Sequence, residues 1–388
     1  MSRFDIADFQ KKLDERRTEG NYRTCPVISS RTGTVIEIGG RSYLNFSSND
    51  YLGMAASEEL AGAWCRGTEI WKGGSGASPL VAGLTGAHRS LESFIADFLG
   101  VEAAVLFSSG FAANQAVIKT FCRPGTFIYA DRLSHASLQE AAVLSGAELR
   151  RFTHNDPDSL KRFLEKGGKG LIVTEGVFSM DGDEAPLAEI LSLADRYGMP
   201  VFLDDAHGFG VHGTGGRGTV SVQGFRHGDF DLVTGTFGKA YGTGGAFVAG
   251  NRVLIEYMVN FAREYIYSTH MPPAQAYATE FSMRYVAEHE ELRNRLRCNV
   301  EHFRSAMAQT GYLLGESHHS IQPLILGSSE KAVSMSSFLK SRGIFAGAIR
   351  PPTVPKNTAR IRFTITSAHT GDDIAFLVES LKEAEKLL

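Results

Sequence analysis

The feature that most constrains this chain is an alternation of apolar, strand-like runs with helix-like runs between Leu91 and Asp231. "AAVLFSS" precedes "FAANQAVIKTF", "FIYAD" precedes "HASLQEAAVLSG", "LIVTEGVF" precedes "LAEILSLADRYG", and "PVFLDDAHG" closes the series. Strands separated by helices in this way predict an α/β architecture: a mostly parallel central sheet with helices on both faces. "DLVTGTF" and "GGAFVAG" add two strands around a glycine-rich loop, and a helix is expected from Val253 to about Arg263. Ligands of such sheets collect beyond the carboxyl ends of the strands. The residues that follow each strand therefore carry the functional expectations.

The flanking segments read differently. Residues 1–50 form an N-terminal arm, with an amphipathic helix carrying Ile6, Phe9 and Leu13 and then a hairpin at Gly39-Gly40 within "TVIEIGGRSYLNF". Residues 51–272 make the large domain. Residues 273–388 supply a charged helical connector, from about Pro273 to Thr310, and a small α+β domain built from "SIQPLILG", a helix near Ser334 to Lys340, "ARIRFTITSA" and a last helix to Leu388.

Composition excludes several classes of partner. The 388 residues, 43% of them hydrophobic, suffice for two or three domains with a sizeable core. With 40 basic against 43 acidic residues the net charge is −3, which favours neither nucleic acid nor an anionic membrane and leaves a small molecule as the expected substrate. No apolar run approaches the roughly 18 residues of a membrane span, and the start "MSRFDIADFQKKLDERR" is too charged for a signal peptide. A cytoplasmic protein is expected. Cys25, Cys65, Cys122 and Cys298 lie far apart with no CxxC pair, so neither zinc nor a disulfide framework is signalled.

Three strand ends carry chemistry. "LFSSGFAAN" sets Ser108, Ser109 and Gly110 between a strand and a helix, where free N–H groups and the helix dipole favour a phosphate. An ordinary strand-to-helix turn has the same sequence. "VFLDDAHG" ends a strand in Asp204, Asp205 and His207; two acids at a buried strand end need a cationic partner. With no second cluster of ligand-type residues, a metal is the weaker use of these acids. "TGTFGKAYGTGG" places Lys239 three residues after Thr236, among glycines that let a flat group approach the backbone. A lysine in a dry pocket has a lowered pKa and forms a Schiff base; in a flexible surface hairpin it does neither. Together an anion, a phosphate cradle and a reactive lysine match the needs of pyridoxal 5'-phosphate. "GTGGRG" (Gly213 to Gly218) fits GxGxxG formally, but its preceding strand ends near Asp204 and no apolar helix follows directly, which argues against a dinucleotide site.

Over nearly its full length the sequence resembles the α-oxoamine synthase family of fold-type I pyridoxal-phosphate enzymes. The resemblance is carried by "NFSSNDYLG", "SSGFAANQAVI", "DRLSHASLQEA", "RRFTHND", "VTEGVFSMDGDEAPL", "LDDAHGFGVHG", "GTFGKAYG", "YSTHMPPAQA" and "AIRPPTVPKNTARIRFTITSAHT". It implies a homodimer in which Lys239 binds the cofactor covalently, Asp204 pairs with the pyridinium nitrogen, His207 and Ser179 reach the ring oxygen, and His135 stacks on the ring. It further implies that Gly110, Phe111 and Thr236 hold the phosphate and Arg362 grips the amino-acid carboxylate, with Asn49 a further site candidate. Thr353 and the arm's Arg23, or Tyr22 depending on one gap, would line the acyl path. Within the family, the blocks around "TEGVFSMDGD" and "AIRPPTVP" resemble the branch that serves biotin biosynthesis by condensing L-alanine with a pimeloyl thioester on coenzyme A or acyl carrier protein. Members using glycine or serine with another acyl thioester are the alternative. A non-catalytic homologue would be expected to lose the lysine, which is present here. One departure falls in "GGSGASPLVAG", where Pro79 stands in place of an arginine common in the family; it bears on the choice of amino acid.

Overall fold

The apolar runs assemble into one seven-stranded sheet in the computed structural model, which describes residues 3–20 and 22–387. In chain order its strands are β1 (Ala103–Phe107), β2 (Phe127–Asp131), β3 (Glu148–Phe152), β4 (Gly170–Glu175), β5 (Val201–Asp204), β6 (Leu232–Thr236) and β7 (Ala246–Gly250), arranged in space as β1-β7-β6-β5-β4-β2-β3. Only β7 runs antiparallel to its neighbours. Its link to β6 is the lysine loop, too short for the crossover that a parallel pair needs, so the chain turns straight back.

Successive residues of each strand enter opposite cores, as the period of two requires. Val105, Phe107, Ile128, Ala130, Phe202 and Val248 pack under helices Gly110–Phe121, Ala136–Ser145 and Arg252–Phe261. Ala104, Leu106, Tyr129, Ile172, Leu203 and Phe247 face the other way, toward helices Gly86–Leu99, Leu187–Tyr197 and Pro273–Glu288. Each fully buried aliphatic or Phe side chain contributes roughly 1.5–3 kcal/mol, so the strands are held from both sides. The sheet is therefore a rigid base whose carboxyl ends all open on one edge.

Strand β3, "ELRRF", has no apolar run to announce it: it sits at the sheet edge, half exposed, beside β2 alone. The helix expected from Val253 runs Arg252–Phe261, kinks at Ala262, and resumes as Arg263–Ile266. The expected connector is likewise broken, at His289: Pro273–Glu288 packs on Glu58–Trp71 and Gly86–Leu99, whereas Glu290–Met307 packs on Gly371–Leu387. The C-terminal part carries a three-stranded antiparallel sheet of Ile321–Gly327, Ala359–Thr364 and Ala348–Ile349.

The arm folds as a helix, Ile6–Thr18, and three strands, with Gly39 and Gly40 both at positive φ in the tight turn between Val35–Ile38 and Arg41–Asn45. Its last strand pairs in parallel with Ile344–Phe345, which ties the arm to the C-terminal part. The apolar stripe of the first helix stays exposed at Ile6, Phe9 and Leu13, with Phe9 edge-to-face against Phe4 (centroids 6.1 Å apart).

Candidate active site

Five strand ends converge. Beyond β1, the helix Gly110–Phe121 starts at an N-cap, Ser109, whose hydroxyl accepts from the N–H of Ala112 (3.1 Å) while its carbonyl takes that of Ala113 (3.0 Å). The first two N–H groups of the helix, on Gly110 and Phe111, lie where no helix carbonyl reaches them. They form an anion cradle at the positive end of the helix dipole. Gly110 is required by space: a Cβ there would stand 2.6 Å from Cγ2 of Thr236, at the end of β6. The Thr236 hydroxyl donates to the carbonyl of Ala206 (3.3 Å) and accepts from Lys239 Nζ (3.4 Å).

Lys239 is half-buried, and desolvation pushes its ammonium down to about 8 against the pull of the Asp204 carboxylate. Asp204, at the end of β5, accepts from Asn114 Nδ2 at 2.6 Å and from its own loop, the N–H of Ala206, at 3.0 Å. Asn114 also donates to Ser137 Oγ (2.9 Å), which is 2.7 Å from His135 Nδ1. A hydrogen-bonded chain thus runs from Asp204 to His135. Burial pushes the His135 imidazolium down, so the ring is held toward its neutral form. Glu175, at the end of β4, accepts from the backbone N–H of His135 at 2.5 Å; fully buried beside Asp204, its carboxyl is pushed well above the usual range.

The adjacent acids of "LDDAH" are separated by the fold. Asp205 points into the loop that follows, taking the N–H (2.8 Å) and hydroxyl (2.7 Å) of Thr219, and burial pushes it up to about 7. A Cβ on Gly176 or Gly208 would come 2.1 Å from Asp205 Oδ1, so glycine is needed at both places. Asp205 pins a loop, and Asp204 faces the cleft. The "GTGGRG" stretch belongs to that same loop: Thr214–Gly216 is a single turn and the helix after it, Thr219–Val222, has four residues, with no fingerprint for a dinucleotide.

His207 lies on the same edge, its Nδ1 2.6 Å from the hydroxyl of Tyr51; burial and the nearby Lys239 push it well below its ordinary value. Arg362 reaches in from strand Ala359–Thr364. Its Nε donates to the carbonyl of Ser179 (2.6 Å) and its Nη1 to Asn49 Oδ1 (3.2 Å) and Thr364 Oγ1 (3.1 Å). Ser179, Asn49 and Arg362, far apart in sequence, therefore meet.

Arg23 and Thr353 are not drawn into this constellation. Both are exposed, Thr353 in a turn whose N–H donates to Arg350 O at 3.0 Å. What joins their segments is Arg350, whose guanidinium donates to the carbonyl of Gly20. Asn114, Ser137, Glu175 and Tyr51 were not singled out by sequence. An Asn inside a mostly apolar helix, where its side chain disfavours helical backbone, and a Glu ending a buried strand, "GLIVTE", were the available signals.

Among the described residues neither half-buried Lys239 nor buried Asp204 makes a direct ion pair. A flat group with a carbonyl for the amine, a cationic ring nitrogen for the carboxylate and an anionic tail for the Gly110–Phe111 cradle satisfies all three at once. Pyridoxal 5'-phosphate is that group, and the residues present fit it. Among the described residues no set of three or more His, Cys, Asp or Glu side chains is grouped to hold a metal, and no helix is long and apolar enough to cross a membrane. All four cysteines are free.

Fold and site define a fold-type I pyridoxal-phosphate enzyme. The chain belongs to the aminotransferase class I and II family, whose sequence profile matches residues 41–381. Proteins named 8-amino-7-oxononanoate synthase are similar to it over almost their whole length. That of Aeromonas salmonicida is 46% identical over 369 residues, 95% of this chain and 92% of the relative. That of Klebsiella pneumoniae is 46% identical over 376 residues, 96% and 97% of the two chains. Among solved structures, serine palmitoyltransferase from S. paucimobilis superposes with a TM-score of 0.93 at 29% identity, covering all of both chains. The 8-amino-7-oxononanoate synthase of Francisella tularensis superposes with a TM-score of 0.78 at 29% identity over 89% of this chain and 98% of the other.

Proposed function

We propose that this chain condenses L-alanine with a pimeloyl thioester, carried on coenzyme A or acyl carrier protein, to give 8-amino-7-oxononanoate, CO2 and the free thiol carrier, as a cytoplasmic homodimer serving biotin biosynthesis. The observation that carries the chemistry is Lys239, a half-buried amine that desolvation pushes down to about 8, hydrogen-bonded to Thr236 and within electrostatic reach of the Asp204 carboxylate. The identity of the product rests on the 46% identity with relatives of that name over 95% of the chain.

Bound pyridoxal phosphate supplies an electron sink for a carbanion at the amino-acid Cα. Lys239 would anchor it and, as a neutral amine, would take the Cα proton. Asp204, its carboxylate held by Asn114 and the Ala206 N–H, would keep the ring nitrogen protonated. The N–H groups of Gly110 and Phe111 with the Thr236 hydroxyl would hold the phosphate. His207 and Ser179 would serve the ring oxygen, and His135 would cover the ring face. Arg362, held by Ser179 and assisted by Asn49, takes the substrate carboxylate with its remaining donors. Thr353 and Arg23, or Tyr22, all exposed outside this constellation, would line the approach of the acyl chain on the strength of the family resemblance alone.

The homodimer is supported by an apolar stripe. Val253, Tyr257 and Phe261, one helical face, are exposed, as are Leu80 and Val81. The loop bearing Pro79 docks on the segment after that helix, through Ser75 Oγ to the carbonyl of His270 (2.8 Å) and the N–H of His270 to Ala77 O (3.0 Å). Pro79 itself is buried.

The shape match to serine palmitoyltransferase favours a second reading, a synthase using glycine or serine. The test is product analysis by mass spectrometry with L-alanine, glycine and L-serine, each with pimeloyl thioester on either carrier. Product and CO2 from alanine support the proposal; turnover of glycine or serine alone would transfer the chain to the other branch, and a colourless protein that takes up no pyridoxal phosphate would remove both.

A further inference from the structure

The "RRFTHND" block gained no role in the chemistry above, yet it contains the most strongly bracketed imidazole in the chain. His154 Nδ1 lies 2.9 Å from Asp131 Oδ1 and its Nε2 2.6 Å from Asp183 Oδ2. Both neighbours are carboxylate oxygens, which only accept, so both ring nitrogens must donate and the ring is an imidazolium. Its edge-to-face contact is with Phe178, centroids 4.5 Å apart, and among the described residues no other charged group bonds to it. Burial works against the cation, but the hydrogen bonds and charges of Asp131 and Asp183 outweigh it and push His154 up to about 10.

The two carboxylates belong to the two loops that present catalytic groups. Asp131 ends β2 and is completely buried; its Oδ1 also takes the N–H of Leu133 (2.8 Å), and its carbonyl takes that of Ser134 (3.1 Å), shaping the turn that delivers His135. Asp183 lies in the hairpin closed by the Val177–Glu184 bridge, whose Ser179 carbonyl orients Arg362 and whose Asp181 is paired with Arg360. Asn155 reinforces the join. Its N–H donates to Asp131 Oδ2 (2.9 Å) and its side chain to Asp183 Oδ2 (2.9 Å) and Glu184 O (2.9 Å), at a φ of +49° that few residues other than glycine adopt. Backbone strain of this kind persists only where surrounding contacts impose it.

We propose that His154 is a positioning residue: clamped between Asp131 and Asp183, it fixes the His135 turn against the hairpin that carries Ser179 and so sets where the His135 ring stands relative to the bound cofactor. The proposal rests on the function stated above for its catalytic consequence, but the clamp itself does not depend on it. Replacing the ring with a neutral amide in His154→Gln leaves one carboxylate without its donor.

The test compares wild type and His154→Gln by amide hydrogen exchange on the full chain without cofactor, and by visible circular dichroism and steady-state kinetics with pyridoxal phosphate bound. Loss of a charged hydrogen bond predicts about tenfold faster exchange at residues 133–135 and 178–184 together. With cofactor, the visible dichroic band weakens and kcat falls about tenfold to a hundredfold with KM little changed, as displacement of a catalytic group requires. Should His154→Gln fold poorly, Asp183→Asn keeps the imidazole and weakens one side of the clamp, and smaller changes in the same direction are expected. Faster exchange confined to residues 153–156, or a lowered melting temperature with kcat and the dichroic band unchanged, overturns the proposal. A wild type that binds no pyridoxal phosphate would sink the functional proposal, while the exchange comparison would still decide the clamp.

Discussion

Gly110→Ala is the sharpest probe of the cradle. The added methyl would stand 2.6 Å from Thr236 Cγ2, whereas carbon atoms rest at about 3.5–4.0 Å. One of the two must therefore move by about 1 Å. Rotating Thr236 takes its hydroxyl away from Ala206 O and from Lys239 Nζ, which it meets at 3.3 and 3.4 Å. Shifting the helix start moves the N–H groups of Gly110 and Phe111. Either response spoils the phosphate site, and overpacking of this size costs about 1–3 kcal/mol, equivalent to about a five- to 150-fold weaker Kd for pyridoxal phosphate. Folding should suffer less, because alanine favours helix over glycine by up to about 1 kcal/mol. The assay is titration of cofactor-free protein with pyridoxal phosphate, followed by absorbance. Thr236→Ser removes Cγ2 and keeps the hydroxyl, so the double variant should recover to within about threefold of wild type if the methyl contact is the cause. A single variant that binds normally, or a double variant as weak as the single, would refute the steric account.

Three further outcomes follow from the same geometry. Asp204→Asn should lower kcat by about 10²–10³-fold, the scale of losing one preorganised charge, whereas Asp205→Asn should keep most activity and lose about 1–3 kcal/mol of stability in urea melts; equal effects on kcat would mean that the two acids are not divided as described. Because Lys239 is pushed down to about 8, its reactive neutral form is scarce below that pH, about tenfold less per unit. The rate of cofactor uptake by cofactor-free protein should thus climb with pH and level off above about 8, and a flat stopped-flow profile would contradict it. Phe261→Asp, at the C-terminal end of the exposed stripe, should give a monomer by light scattering at micromolar concentration; an unchanged dimer would place the interface elsewhere.

Local sequence was enough for the scaffold and for its chemically distinctive residues. Apolar runs alternating with helix patterns announce a sheet buried on both faces, and the strand-to-helix glycine, the acids ending β5 and the lysine after β6 stand out because all three fall at strand ends of one sheet, where ligands collect. Edge strand β3 was invisible for the opposite reason: with one neighbour and half its surface in water, "ELRRF" needs no apolar run.

What local pattern could not supply is the set of contacts that make these residues a site. Asp204 and Asp205 are chemically identical, and only the path of the loop through Thr219 sends one into the protein and the other into the cleft. Asn114 reaches Asp204 across 90 residues, and Arg362 reaches Ser179 across 183. Such pairs depend on strand order and on how the C-terminal part docks, neither of which leaves a periodic trace. His154 shows the same limit: its two acids end up on either side of it because β2, β3 and the hairpin after β4 are neighbours in space. The sequence by itself determined which layers form and which reactive groups lie at their ends, because hydrophobic period and side-chain chemistry are local properties. Tertiary structure alone decided which groups are desolvated, paired or left facing the cleft, because burial and hydrogen bonding between distant segments exist only once the layers have packed.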